Sequence, residues 1–401
     1  MFLISAVVAL SKLFFWHDTE IFARMVQDLF DSSETGFTIA LGLTGMLCLW
    51  MGIMKVGEEG GAINTMTKAV SPLFSRLFPE VPKGHPAVGS MMMNFSANML
   101  GLDNAATPMG LKAMKELQEL NPEKEKATNA QIMFLVLNTS GLTLIPVSVF
   151  ALLSERGMEN TTSVFLPILI STFIASLVGL VFVSIKQKIN LFNPIVLLYI
   201  GGMSVFIFGL LIYVIYNPQH SDIISKVGGN LIIFIVIIAF ILMALKRKVN
   251  VYETFVEGAK EGFNVALMII PYLVAILAAI AVLRASGTLD AMLDGLKATV
   301  LFFGLTATEC VDAMPVGLMK PLSGGGARGA LVDIIENQGV NSFVTKIGAT
   351  MQGSTETTFF VLAVYFGSVG IKKTRYALTA GLIADLAGII AAIVVSYIFF
   401  A

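Results

Sequence analysis

Residues 343–366 read FVTKIGATMQGSTETTFFVLAVYF. The run is long enough to cross a bilayer, whose hydrocarbon core takes about 20 apolar residues of helix. Its middle is not apolar: Gln352-Gly353-Ser354-Thr355-Glu356-Thr357 sets an amide, hydroxyls and a carboxylate at membrane depth. Irregular backbone survives there only when it is buried in protein or lines a wet cavity. The stretch therefore reads as an interrupted spanning helix facing an interior site. A second stretch has the same plan. Residues 130–153, AQIMFLVLNTSGLTLIPVSVFALL, are interrupted by Asn138-Thr139-Ser140-Gly141, with Thr143 and Pro146 beyond.

The composition of the 401-residue chain agrees. Hydrophobic residues make up 56% and charged residues 13%, about half the charged share of soluble domains. That excludes a soluble globular enzyme, a nucleic-acid binder and a disordered protein. The net charge of −1 predicts no polyanionic partner. The fold class is an all-α polytopic membrane protein in contact with the lipid bilayer. Further spans are expected at 37–55, 163–185, 194–216, 229–245, 263–283 and 376–400. Met1 to Trp16 reads as a short first helix, because no small-residue cleavage site follows it. The mixed stretches 86–111 and 298–322 read as re-entrant or broken helices. Lys and Arg concentrate in 112–128, 186–193, 246–262 and 371–376. One threading places all of these inside, with nine crossings, the N-terminus in and the C-terminus out. Cys48 and Cys310 lie far apart in apolar stretches and read as buried thiols.

The halves resemble each other. NAATPMGLKAM around Asn104 matches DAMPVGLMKPL around Asp312, pairing Pro108 with Pro315 and Gly110 with Gly317. Asn138-Thr139-Ser140-Gly141 falls where Gln352-Gly353-Ser354-Thr355 falls. A short amphipathic stretch precedes each half, and each ends in Gly-Phe, at 36–37 and 262–263. These stretches are expected to lie in the membrane interface. One helix, 194–216, joins the halves, and an odd number of joining crossings inverts the second. Inverted repeats with broken helices at matching places are the mark of a secondary transporter, with its site between the repeats.

Intramembrane polar groups are functional candidates, with interhelical hydrogen bonding as the competing role. For substrate binding the first half offers Asn94, Asn98, Asn104, Thr107, Asn138, Thr139 and Ser140, and the second Gln352, Ser354, Thr355 and Thr357. Amides and hydroxyls both donate and accept, which suits a polar heterocycle or a sugar. For ion coupling the second half offers Glu309, Asp312, Glu356 and Asp385. An unpaired carboxylate at low dielectric takes up a proton or pairs with a cation, so sodium or proton coupling is expected. Gly324-Gly325-Gly326, near Lys320 and Arg328, reads as an anion nest or a hairpin tip. His17, His85 and His220 are isolated, and no nucleophile elbow or metal-binding motif occurs. No enzyme activity, catalytic residue, metal or other cofactor is expected.

These motifs carry a family likeness. KVGEEGG at 55–61, LFPEVPKGHPA at 77–87 and the NAATP-x-GLKAM run ending at 114 resemble spore maturation protein A. VYETFVEGAKEGF at 251–263, PYLVA at 271–275, GSTETTFFVLAVYFG at 353–367 and GIKKTRYAL at 370–378 resemble spore maturation protein B. The resemblance implies a fusion, with an A-like gate repeat at 1–190, a linking helix at 191–228 and a B-like gate repeat at 229–401. It places the chain near the nucleoside-recognition, or gate-domain, family, which is similar to concentrative nucleoside transporters. Their glutamine-threonine-glutamate hairpin resembles Gln352 and Thr355-Glu356, here with Gly353-Ser354 inserted. The resemblance implies an inner (plasma) membrane symporter for a small polar organic solute, a nucleoside or an aromatic carboxylate, and is compatible with a homo-oligomer. The other reading is a non-transporting scaffold or receptor in envelope or spore maturation.

Overall fold

A computed structural model describes residues 1–82, 84–101, 103–220, 223–302 and 308–401, and only the backbone of 103–105, 218, 225, 226, 272 and 300. The described secondary structure is helical, apart from one isolated bridge between Lys126 and Lys373. Among the described residues, six helices are long and apolar enough to cross a membrane: Ile21–Gly60, Thr161–Gln187, Pro194–Tyr216, Gly229–Lys246, Val251–Ala285 and Ala377–Phe400. The chain is a polytopic membrane protein.

After α1 (Phe2–Trp16) come α2 (Ile21–Gly60), α3 (Ala62–Leu77), α4 (Pro86–Met99), α5 (Asp103–Glu119), α6 (Asn129–Ser140), α7 (Val147–Glu155) and α8 (Phe165–Gln187). Then follow α9 (Pro194–Tyr216) and α10 (Gly229–Lys246). The remainder is α11 (Val251–Ala285), α12 (Thr288–Phe302), α13 (Glu309–Met319), α14 (Gly324–Gln338), α15 (Phe343–Gly353), α16 (Thr358–Ser368) and α17 (Ala377–Phe400). From α2 to α8 the helices have 40, 16, 14, 17, 12, 9 and 23 residues. From α11 to α17 they have 35, 15, 11, 15, 11, 11 and 24. The same order of long and short elements therefore occurs twice.

Four sequence readings are refined. First, the interrupted spans at 130–153 and 343–366 are each two separate helices, broken where the polar residues stand. α6 starts on a Thr128–Gln131 capping box and ends at Gly141, whose φ is 52°, and Pro146 sits at the start of α7. α15 ends at Gly353, and the chain is extended at Thr357 before α16. Second, the amphipathic stretches at 21–30 and 251–259 are not separate interfacial helices but the first turns of α2 and α11. At 1.5 Å per residue these run about 60 and 52 Å, well beyond the ~30 Å apolar core. Third, Pro108 lies in α5, fourth in its series, while Pro315 lies in α13, third in its series. The proline match therefore joins helices of different rank, whereas 138–141 and 352–355 both close the fifth. Fourth, Gly324–Gly326 form the first turn of α14, capped by Ser323 Oγ, which accepts from Gly326 N–H at 3.0 Å.

Two long pairs organise the core. Gly36 packs on Val274, Gly52 on Phe255, Gly258 on Met51 and Gly52, and Gly262 on Leu47 and Cys48. Positions rise along α2 as they fall along α11, so the pair is antiparallel, with glycines letting the backbones approach. α8 and α17 pair the same way, Gly179 against Ala384 and Ala175 against Gly388. The loops fix which ends lie together. Ala127 N–H donates to Lys373 O at 3.0 Å, and Lys372 Nζ meets Glu125 Oε1 at 2.5 Å, joining two of the basic loops. At the other ends of the broken helices Arg156 Nη1 meets Glu336 Oε1 at 2.5 Å, and Glu159 N–H donates to Asn341 Oδ1 at 3.3 Å. The path from α6 to α7 therefore runs opposite to that from α15 to α16.

Candidate functional site

The two breaks touch. Glu356 N–H donates to Thr139 O across them at 2.8 Å. A Cβ on Gly141 would fall 2.8 Å from Glu356 Cγ. Its left-handed φ and this contact both favour glycine there.

Beside the contact lies a cavity of about 180 Å³, whose lining includes Asn98, Thr107, Asn138, Glu356, Phe360 and Tyr365. Asn98 Nδ2 donates to Asn138 Oδ1 at 2.8 Å, and Tyr365 Oη donates to the same oxygen at 3.4 Å. Asn138 Nδ2 donates to Phe134 O at 2.8 Å. Asn94, fully buried, donates to Ala106 O at 2.8 Å and to Tyr365 Oη at 3.2 Å. Asn94 thus ties α4 to α5 and α16 and does not line the cavity. The Tyr365 ring stacks on Phe134, with centroids 5.8 Å apart and planes 11° apart. The cavity wall is a hydrogen-bonded polar network on a rigid aromatic base.

Asp385 is buried on α17, where Thr358 Oγ1 donates to its Oδ2 at 2.6 Å. Thr355 stands beside the same carboxyl without a bonded geometry. At the two breaks and at Asp385, four buried polar atoms lack a hydrogen-bond partner: Thr139 Oγ1, Gln352 Oε1, Thr355 Oγ1 and Asp385 Oδ1. Such atoms are normally satisfied, so exceptions grouped at helix breaks mark a place for an ion, water or solute. Lys320, buried at the end of α13, is within electrostatic reach of Asp385. Among the described residues no group of three His, Cys, Asp or Glu could hold a metal.

A second cavity, of about 390 Å³, is also lined by Glu356 and Phe360. Its remaining wall includes Ile269 and Leu273 of α11, Leu322, Ser323, Arg328 and Thr357.

The structure thus gathers Asn98, Thr107, Asn138, Thr139, Gln352, Thr355, Glu356, Thr357 and Asp385 around the breaks. Ser140 and Ser354 turn their hydroxyls back to Leu137 O at 3.3 Å and Met351 O at 2.8 Å. The side chain of Asn104 lies outside the described residues. Glu309 and Asp312 do not join the group. Glu309 is exposed and accepts from Tyr397 Oη at 2.8 Å, and Asp312 pairs with Lys297 at 2.7 Å. Sequence reasoning missed Tyr365, Thr358 and Phe360. A lone tyrosine in an apolar helix was the available signal for the first, because a buried phenol seeks a partner.

Comparison with known proteins fits this picture. The family model described as "Gate: Nucleoside recognition" matches residues 40–156. Spore maturation protein B of Bacillus subtilis (strain 168) is 46% identical over 166 residues, covering 41% of this chain and 91% of that protein. Spore maturation protein A of the same organism is 37% identical over 149 residues, covering 37% of this chain and 76% of that protein. The two matches fall on different halves. With a relative of this kind in each half, the chain belongs to the family of spore maturation proteins A and B.

Proposed function

We propose that the protein is an inner-membrane secondary transporter of a small polar organic solute, built from two inverted repeats with about nine crossings. The observation that carries this reading is the back-to-back contact of two broken helices beside a polar cavity. Unwound backbone at membrane depth belongs beside a site that must release and rebind a polar cargo.

Reciprocal contacts support the inversion. Cys48 lies twelve residues after Gly36, and Val274 twelve residues after Gly262. Gly36 packs on Val274 while Gly262 packs on Cys48. Each glycine thus meets the residue twelve places beyond the other, the pattern a two-fold axis between equivalent helices produces. The antiparallel pairing of α8 with α17, seventh in each series, has the same origin.

The solute would sit against Asn98, Thr107, Asn138 and Tyr365. Nucleosides and aromatic carboxylates are the classes to test, and the matched description of nucleoside recognition favours the first. Glu356, at the contact, and Asp385, with an unfilled oxygen, would carry the coupling proton or sodium ion. The test is uptake of labelled uridine and benzoate into proteoliposomes under imposed proton or sodium gradients. Glu356→Gln and Asp385→Asn should each abolish ion-driven accumulation. Unchanged uptake and ion dependence in both would refute the coupling role. No gradient-driven uptake of either class by wild-type protein would refute the proposed substrates.

A further inference from the structure

The two cavities share part of their walls. Among their described lining residues, Glu356 and Phe360 are the only two in both walls. They lie four apart, Glu356 in the break and Phe360 in the first turn of α16. Phe360 is 58% exposed and belongs to none of the packed apolar clusters. It thus contributes to the walls of both cavities and not to the packed core. Its neighbour in those walls is a carboxylate.

The spaces differ in charge. Glu356 is the one charged side chain among the described lining of the smaller cavity, whose other polar groups are amides and hydroxyls. In the larger cavity Arg328 stands in the wall with Glu356, beside the apolar Ile269, Leu273 and Leu322. An anion entering the smaller cavity would meet a carboxylate with no cation among the described lining residues. A flat solute with N–H groups would find a π face at Phe360 and acceptors at Glu356 and the amides.

We propose that Phe360 and Glu356 form a selective partition between the two cavities, passing flat neutral or cationic solutes that carry N–H donors and turning back anions. This rests on the transport reading and narrows it, favouring nucleoside-like heterocycles over aromatic carboxylates. Phe360 sets the width of the passage, and Glu356 sets its charge.

Thiol chemistry tests the partition without knowledge of the substrate or of turnover. The background is the full chain with Cys48→Ser and Cys310→Ser. Reporters are Asn98→Cys in the smaller cavity and Leu322→Cys in the larger. Each is treated with methanethiosulfonates bearing an ammonium or a sulfonate, with rates normalised to a small free thiol. At Asn98→Cys the ammonium reagent should react about tenfold faster than the sulfonate, the size expected for one unit charge felt across a partly wet cavity. At Leu322→Cys the two should react at similar rates. Adding Glu356→Gln should erase the preference at position 98. Adding Phe360→Ala should raise both rates there about tenfold and keep their ratio, as removal of a gate does. Phe360→Leu is the milder variant if the alanine form does not elute as a single species.

A preference at position 98 that survives Glu356→Gln, or rates that neither Phe360 variant changes, would overturn the partition. Uptake separates this from failure of the wider reading. The labelling pattern without uptake removes the transporter and keeps the partition, whereas uptake with flat labelling removes the partition alone.

Discussion

Replacing Gly262 with alanine tests the α2–α11 pair, on which the inverted arrangement depends. The new Cβ would stand 2.6 Å from Leu47 O, 2.7 Å from Leu47 C and 2.8 Å from Cys48 N. These are backbone atoms, so no side-chain rotation relieves them. Ordinary contact begins near 3.4 Å, and the helices would have to part locally by about 0.8 Å. Overpacking of this kind costs about 1–3 kcal/mol, against a gain of about 1 kcal/mol for alanine over glycine in a helix. The net is a loss of about 0–2 kcal/mol. Gly36→Ala is milder, since its Cβ would meet Val274 N at 3.0 Å. Gly45, on the same helix as Gly36, has nothing within 4 Å of a Cβ, so Gly45→Ala keeps only the gain. Melting should rank Gly45→Ala above wild type and Gly262→Ala lowest. Trp50 lies buried on α2 and reports the transition by its fluorescence once Trp16→Phe silences the other tryptophan. The double variant of Gly36 and Gly262 should lose less than the two single losses together, because one separation relieves both contacts. If Gly262→Ala melts as high as Gly45→Ala, the close approach is wrong, and with it the reciprocity of the two glycines.

Three further outcomes follow from the site and its flanks. Tyr365→Phe keeps the stack on Phe134 but takes a partner from both Asn94 and Asn138. It should destabilise by about 1–2 kcal/mol in thermal or denaturant unfolding and weaken solute binding in a melting-shift titration. Asp385→Ala removes the acceptor of Thr358 and should melt below Asp385→Asn, which keeps a carbonyl oxygen there; equal melting would mean that the 2.6 Å contact carries no stability. In the loop before α6, a hydrogen bond from Lys126, together with its charge, holds the Glu123 carboxyl below its ordinary value of 4.5. A depressed carboxyl stabilises the fold above its unfolded pKa and loses that contribution as pH falls through the folded one. Glu123→Gln should therefore lower the melting point slightly at pH 7 and less at pH 3, with the difference shrinking in high salt because the pair is exposed.

The helix breaks were legible in sequence because polar groups at membrane depth are expensive and stand out against apolar neighbours. Contacts between distant segments were not. Glu309 and Asp312 read like site acids by density alone, yet Tyr397 and Lys297 already engage them. Tyr365 escaped notice because its partners Asn94 and Asn138 are 271 and 227 residues away. The continuity of α2 through Gly36 was hidden too, since a glycine before an apolar run reads as a boundary until the partner helix that needs it is known. The contrast between an amide-rich first half and an acid-rich second half, visible in sequence, gains a physical sense from these contacts. On the first side Asn94, Asn98 and Asn138 spend their amide donors on one another, on Tyr365 and on backbone carbonyls. On the second side Asp385 keeps an oxygen unfilled, and Glu356, which lines both cavities, is anchored through its backbone. A network whose donors are already engaged gives shape and changes little when a solute arrives. A carboxylate held by its main chain can change partner or proton without unmaking the contact between the repeats. In the proposed transporter the amide half would therefore set the form of the solute, and the acid half would supply the exchangeable charge.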